Sequence, residues 1–453
     1  MSQSARLKPV LVDLADLAEG FVLSLDARQA ALEAVLDTIT AAAAAPRFRF
    51  AQAVQATYGA GDCAVWFSEV TASCQGAAFA NAMSAAYMDL DDGHRRSRGH
   101  PGAAVVPAVF AELDRRLAAG LEVDDEAVLR AIAVGYEVGL RVAAAKGFYA
   151  RTGFWAGIAA AAAVGSLQSL SPEKMANALA IAGETGPHMA TTTSMPAWPQ
   201  PDGTDVKEGI PWGVVTGISA VGFAQAGMKG AVDLVDHAPF FDADAILVDR
   251  AMPAICETYT KFHAACRHVH APVEAFASLV SQHGLLVDDI KGVTVRAYSG
   301  ALRIPNSPRP NTLVDAQYSI PYCIALVALK GPDVLLSMSV SDLDDAAAEA
   351  FATLVIVETD PVCEARFPAE TPVIVEVETR QNVFTSPVTT PSGEANARPS
   401  WDERLRKFSV STLHTLSKEE RSALSIAFED LRSGQLNSLC LFLRSGRVLP
   451  PAL

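Results

Sequence analysis

The chain has 453 residues, half of them hydrophobic and 19% charged, enough apolar material for a large core and too much for a disordered chain. At about 150 residues per domain the length admits up to three domains. Its 36 Lys and Arg against 51 Asp and Glu give a formal charge of -15, which speaks against a nucleic-acid partner, since no run of basic residues offsets the repulsion. A small-molecule partner is expected instead.

The N-terminal stretch carries Asp13, Asp16 and Glu19 among its hydrophobics, which is unlike a signal peptide. Ala-rich runs such as residues 156–165 fall short of the roughly 18 apolar residues of a membrane span. Seven scattered cysteines, an odd number, read as reduced thiols. The expectation is a cytoplasmic globular protein with no membrane contact.

Residues 1 to about 260 read as helical. Phe79, Met83, Tyr87 and Leu90 recur at helical spacing. A second helix runs over 126–145, with Asp124 or Asp125 as its N-cap. Ser171-Pro172-Glu173 reads as a cap, a proline at the first position and an acidic first turn. The abundance of Ala and Gly predicts closely approaching helices. After about residue 290 the period changes: Val293, Val295 and Ala297 alternate with Thr294, Arg296 and Tyr298, and a similar pattern covers 373–378. With helical stretches near 320–329 and 342–353, this predicts an α+β unit with a largely antiparallel sheet. Residues 385–400, rich in Pro, Ser and Thr, read as an exposed loop. Ser417-Lys418-Glu419-Glu420 is a capping box that returns the chain to helix. The fold expected is mainly α with an α+β insertion, with a helical domain from 1–267 and 404–453 and an α+β lid domain from 268–403.

Two polar clusters stand out. Residues 89–102 hold Asp89, Asp91, Asp92, His94, Arg95, Arg96, Arg98 and His100. Such a loop could bind a dianion through Arg and His, with the acids orienting them; it could also be a solvated, self-neutralising loop. Its His-x5-His spacing matches no standard zinc motif. Residues 261–270, with Lys261, His263, Arg267, His268 and His270, read either as a second cationic wall or as a helix start with a basic face. Taken alone, Lys207 reads as a surface lysine and Tyr149 as a core tyrosine. No phosphate loop, nucleophile elbow or paired-cysteine motif is present.

Phe79-Ala80-Asn81 through Asp89-Leu90-Asp91-Asp92, then His100-Pro101-Gly102 and Val105-Val106-Pro107-Ala108, resemble the signature of the 2-methylcitrate dehydratase (MmgE/PrpD) family. Residues 133–138, Lys146-Gly147-Phe148, residues 180–183, the Lys207 segment, Cys266-Arg267-His268-Val269-His270 and Tyr318-Ser319-Ile320-Pro321-Tyr322 continue the likeness in order. The resemblance implies a helical domain built from both chain ends, an inserted α+β lid, a homodimer, and no metal or organic cofactor. It carries active-site roles to Asp89, His100, Lys207, His270 and Tyr318. At two positions the chain departs from the dehydratases and decarboxylases: Gly93 stands for their Thr and Tyr149 for their His. In both it is most like the iminodisuccinate epimerase branch. The implied reaction is epimerisation of an α-carbon of iminodisuccinate or a similar N-substituted amino-dicarboxylate. Tyr149 and Lys207 would be the two acid/base groups. His94, His100, Arg98, Arg267 and His270 would hold carboxylates, Asp89 would orient a histidine, and Tyr318 would donate a hydrogen bond. The alternatives are dehydration or decarboxylation of a citrate-like tricarboxylate, and a silent dimeric binding protein.

Overall fold

The computed structural model describes residues 7–46, 50–148, 150–187, 207–237 and 239–445. The helical part comprises α1 (Val10–Gly20), α2 (Leu25–Ala44), α3 (Cys74–Tyr87), α4 (Gly102–Ala118), α5 (Asp125–Ala145), α6 (Gly153–Leu167), α7 (Pro172–Thr185) and α8 (Ile210–Gln225). Local chemistry sets their starts: Ser24 caps α2, Ser73 caps α3 and Asp124 caps α5, each accepting from a backbone N–H of the first turn. Ser171 precedes Pro172 as expected but makes no side-chain cap bond; the fixed φ of proline and the acidic Glu173 open α7. α3 stops at Tyr87, short of Leu90, because Asp89 takes a left-handed backbone (φ 52°).

Small residues let these helices approach closely. A Cβ on Gly139 of α5 would meet the Ala159 Cβ of α6 at 2.4 Å, and one on Gly217 of α8 would meet the Gly157 carbonyl oxygen at the same distance. Almost every residue of α6 is therefore buried, which accounts for its lack of a polar face.

The second part holds α9 (Arg267–His283), α10 (Ile320–Lys330) and a four-stranded sheet. Its strands are β3 (Ile290–Ala297), β4 (Val355–Thr359), β5 (Ile374–Thr379) and β6 (Val383–Thr385), in the order β4-β3-β5-β6. Val293, Val295 and Ala297 face inward, as their alternation predicts. β3–β5 and β5–β6 are antiparallel, but β3 and β4 are parallel, Val293 opposite Val355. The crossover between them contains α10, which packs over the sheet, and a connection of that length permits the parallel pair. The fold is thus mainly α with a smaller α+β region. Helices α11 (Trp401–Ser411), α12 (Lys418–Arg432) and α13 (Asn437–Ser445) then return to the first core, contributing Phe408, Phe428 and Leu439. The capping box of Ser417 and Glu420 is formed.

The segment 385–400 is tied down rather than free. Ser386 N–H donates to Val375 O (2.8 Å), Thr389 bridges Val373, and Gly393 O accepts from Thr260 N–H (2.9 Å). It is a loop, as its composition reads, and these bonds to other parts of the chain hold it in place. No helix of the described residues is long and apolar enough to cross a membrane. All seven cysteines are free thiols, six of them buried.

The close packing of α5 on α6 gives a prediction: Gly139→Val forces methyl groups into Ala159 and costs ~1–3 kcal/mol. Thermal denaturation should show a clear loss of stability; an unchanged melt would mean that the two helices are not held at this separation.

Candidate functional site

The site is built around the turn that ends α3. The left-handed backbone of Asp89 directs the chain across the helix bundle, and the short strand β1 (Gly93–His94) pairs antiparallel with β2 (Thr258–Tyr259). That pairing delivers Lys261. Its ammonium donates to the Asp89 backbone carbonyl (2.9 Å) and to Asp89 Oδ1 (2.8 Å). The Lys207 ammonium lies 3.1 Å from the same oxygen, and His100 Nε2 lies 3.5 Å from it. His100 is set by its other nitrogen, 3.3 Å from Asp91 Oδ2 and 3.2 Å from the Asp92 carbonyl oxygen, and Glu208 Oε1 lies 3.9 Å from its Nε2.

Charge is nearly balanced inside this buried cluster, and the balance fixes protonation. Burial alone would raise the Asp89 carboxyl, but Lys207, Lys261 and His100 outweigh it and hold it well below the usual range. Burial likewise opposes ionisation of Asp91, and the facing His100 overcomes it. For His100, burial and the Lys261 charge disfavour the imidazolium, but Asp91 and Glu208 prevail and raise its pKa. Lys261 is lowered by burial and raised more by Asp89 and Asp91, so it stays charged.

A second layer anchors the turn. Asp92 accepts from Gly102 N–H at the start of α4 and from the Tyr136 hydroxyl, both at 2.8 Å. Burial and the nearby Asp37 push its carboxyl up to about 7. Lys407 of α11 donates to Asp37 Oδ1 (2.7 Å) and to Leu90 O (2.8 Å), so the returning C-terminal helices brace the same turn. On the other side, Thr152 N–H and Oγ1 donate to Glu208 Oε2 (3.2 and 2.6 Å), and Thr152 Oγ1 accepts from His100 N–H (3.1 Å). These bonds join the start of α6 to the Lys207 segment.

The N-terminus of α9 forms the second wall. Arg267 Nη2 donates to Ser392 O (2.7 Å) and Glu394 Oε1 (2.6 Å). Its Nη1 donates to His270 Nδ1 (3.2 Å), which leaves His270 Nε2 to donate to Ala265 O (3.2 Å). Burial and then the Arg267 charge keep His270 neutral, well below the usual histidine range. Arg95 also pairs with Glu394.

Of the residues expected from sequence, Asp89, His100 and Lys207 thus meet in one cluster, and Arg267 and His270 form a contiguous pair beside it. Lys207, which in isolation reads as a surface lysine, is buried. Tyr318 is buried on the adjoining segment, where the neighbouring Gln317 amide donates to Tyr87 O (3.3 Å). His94 points away from the cluster: its Nδ1 accepts from Ser97 N–H (3.2 Å) and its Nε2 lies 3.4 Å from Glu257. Arg98 is exposed, with a left-handed backbone. Tyr149 lies outside the described residues. Sequence reasoning did not single out Asp91, Thr152, Glu208, Tyr259 or Lys261 as site residues. Asp91 sits in the acidic run, Glu208 adjoins Lys207, and Lys261 opens the second basic cluster, so each carried a faint signal; Thr152 and Tyr259 carried none.

Among the described residues two groups have metal-compatible spacing, Asp89 with Asp91 and His100, and His263 with His270 and Glu274. In the first, two lysine ammoniums already supply the positive charge at Asp89. In the second, Arg267 occupies His270 Nδ1 and Ser392 occupies both Glu274 oxygens.

His94 gives a pH prediction. Burial and the charges of Arg250 and Arg96 lower it to about 3, against an ordinary value of about 6.5. Between those values the unfolded chain binds a proton that the folded chain does not, so stability falls as pH drops below about 6.5. Unfolding measured from pH 6.5 to 4 should show a slope smaller by ~1.4 kcal/mol per pH unit in His94→Asn. Asp92 acts in the opposite sense, but equally in both proteins. Identical slopes would remove His94 as the proton acceptor.

Residues 13–243 match the family model described as the MmgE/PrpD N-terminal domain, and residues 263–432 match that of the MmgE/PrpD C-terminal domain. No curated protein matches the chain.

Proposed function

The chain belongs to the MmgE/PrpD family, whose members are enzymes of dehydratase, lyase or related type, and from that premise we propose that it is a cofactor-independent epimerase. Its substrate would be iminodisuccinate or a similar N-substituted amino-dicarboxylate, inverted at an α-carbon. The observation that carries the reading is the buried Lys207 ammonium, held by Asp89 beside His100 and Lys261.

The chemistry follows from what an α-hydrogen requires. One group removes the hydrogen as a proton, and the electron pair left on carbon spreads into the adjoining carboxylate. Positive groups fixed beforehand near those oxygens stabilise the transition state; Lys261, His100 and Arg267 are the candidates. A second group then delivers a proton to the opposite face of the same carbon, so each cycle consumes and returns one proton. In this proposal the Lys207 ammonium delivers the proton on one face and a deprotonated Tyr149 removes it from the other; the opposite stereoisomer is turned over with those two protonation states exchanged. The reading is supported by the bonds from Thr152 to Glu208, which join the segment following Tyr149 to the residue following Lys207. Asp89 orients Lys207 and His100, while Arg98, Arg267 and His270 belong to the proposed carboxylate-binding set and Tyr318 is the proposed hydrogen-bond donor; His94, turned toward Glu257, drops out of that set.

The proposed enzyme works in a cytoplasmic setting, which the seven free thiols fit. It acts as a homodimer in which the α+β region closes as a lid over the helical part. Exposed Trp212, Phe223 and Met228 on and just after α8 offer an apolar face for self-association.

A second reading rests on His100. Raised by Asp91 and Glu208, it is a carrier of the kind that protonates a departing hydroxyl, which suits a dehydratase acting on a citrate-like tricarboxylate. Chiral chromatography separates the two. Tyr149→Phe and Lys207→Ala should each lower racemisation of the N-substituted aspartate by ~10²–10⁴-fold. Full activity in either variant would overturn the two-base assignment, and turnover of 2-methylcitrate or cis-aconitate alone would favour the second reading.

A further inference from the structure

Tyr259 is a polar side chain at the edge of the cluster that the proposed reaction leaves unused. Its backbone pairs with Gly93 across β1 and β2, and its ring lies directly against that glycine. A Cβ at residue 93 would come within 2.4 Å of both the phenol oxygen and Cζ of Tyr259. The absence of a side chain at Gly93 is therefore what admits the ring to this place.

The surroundings of the ring are cationic. The Arg267 guanidinium stands 4.4 Å from its centroid and that of Arg95 stands 5.8 Å away. Both arginines share the single carboxylate of Glu394, so one positive charge is left over beside the phenol. Lys261, two residues further along the chain, reaches Asp89. Tyr259 is 8% exposed, and among the described residues no hydrogen bond engages its hydroxyl. Burial, opposed by Lys261 and Arg267, raises its pKa, which keeps the hydroxyl a donor at neutral pH.

We propose that the Tyr259 hydroxyl donates a hydrogen bond to a substrate carboxylate, inside the positive potential of Arg95 and Arg267, and that Gly93 is the residue that makes room for it. A hydrogen bond to a charged group in such surroundings is strong enough to be felt in affinity. This inference rests on the reading of the cleft as a carboxylate site.

The test is calorimetric titration of succinate into the whole protein. Tyr259→Phe keeps the ring and its packing and removes only the oxygen. We expect it to melt with the unmodified protein and to bind succinate about tenfold more weakly; with a turning-over substrate, KM should rise by a similar factor while kcat changes less. Gly93→Ala should displace the ring and weaken succinate comparably, and the double variant should add little to either single change. If Tyr259→Phe melts normally and binds succinate as tightly as the unmodified protein, the inference is overturned and the carboxylate reading stands. If the unmodified protein binds no succinate, the carboxylate reading itself fails and takes this inference with it.

Discussion

One carboxylate organises the site. Asp89 Oδ1 is shared by two lysine ammoniums and faces a histidine, all taken out of bulk water. A buried ion pair is a poor source of net stability, because desolvation offsets most of the attraction, yet removing one partner strands the other at high cost. Here the arrangement holds charged donors at fixed positions next to a group able to carry a proton. That is preorganisation of the kind that stabilises negative charge developing on a bound acid.

The fold exists, at this point, to hold that carboxylate in place. α3 carries the chain up to Asp89 and ends there. The β1–β2 pairing fetches Lys261 from about 170 residues further on, and Glu208 with Thr152 fastens the Lys207 segment to the start of α6. The C-terminal helices contribute Lys407, which grips Leu90 O and Asp37 beneath the turn. The α+β region supplies Arg267, whose guanidinium links Glu394, His270 and the ring of Tyr259. The contacts of Lys261 with Asp89, of Lys407 with Asp37 and of Arg267 with Glu394 are long in sequence separation and short in space, so the site forms only when both ends of the chain have folded.

Much of this was legible in the sequence. Apolar spacing and capping residues revealed the helices, alternation revealed β3 and β5, and motif order revealed the family and pointed to Asp89, His100 and Lys207, which meet in one cluster. What stayed hidden depends on tertiary placement. Nothing in the composition of residues 385–400 shows that Gly393 and Glu394 are gripped by Thr260 and Arg267. The parallel pairing of β3 and β4 is set by how α10 packs, which periodicity does not encode. His94 and His100 share one loop and one side-chain chemistry, but the β1–β2 pairing turns the first toward Glu257 while the second meets Asp91. Tyr259 left no trace, because its significance lies in the hydrogen atom that Gly93 carries in place of a side chain.

The account stands on proton exchange at carbon beside this cluster. Its most direct test is the deuterium content of the product when a single stereoisomer of the N-substituted amino-dicarboxylate is turned over in deuterated water. The account predicts one solvent deuteron at the inverted carbon. Inversion with the original hydrogen fully retained, or release of an unsaturated acid or carbon dioxide without inversion, would contradict it.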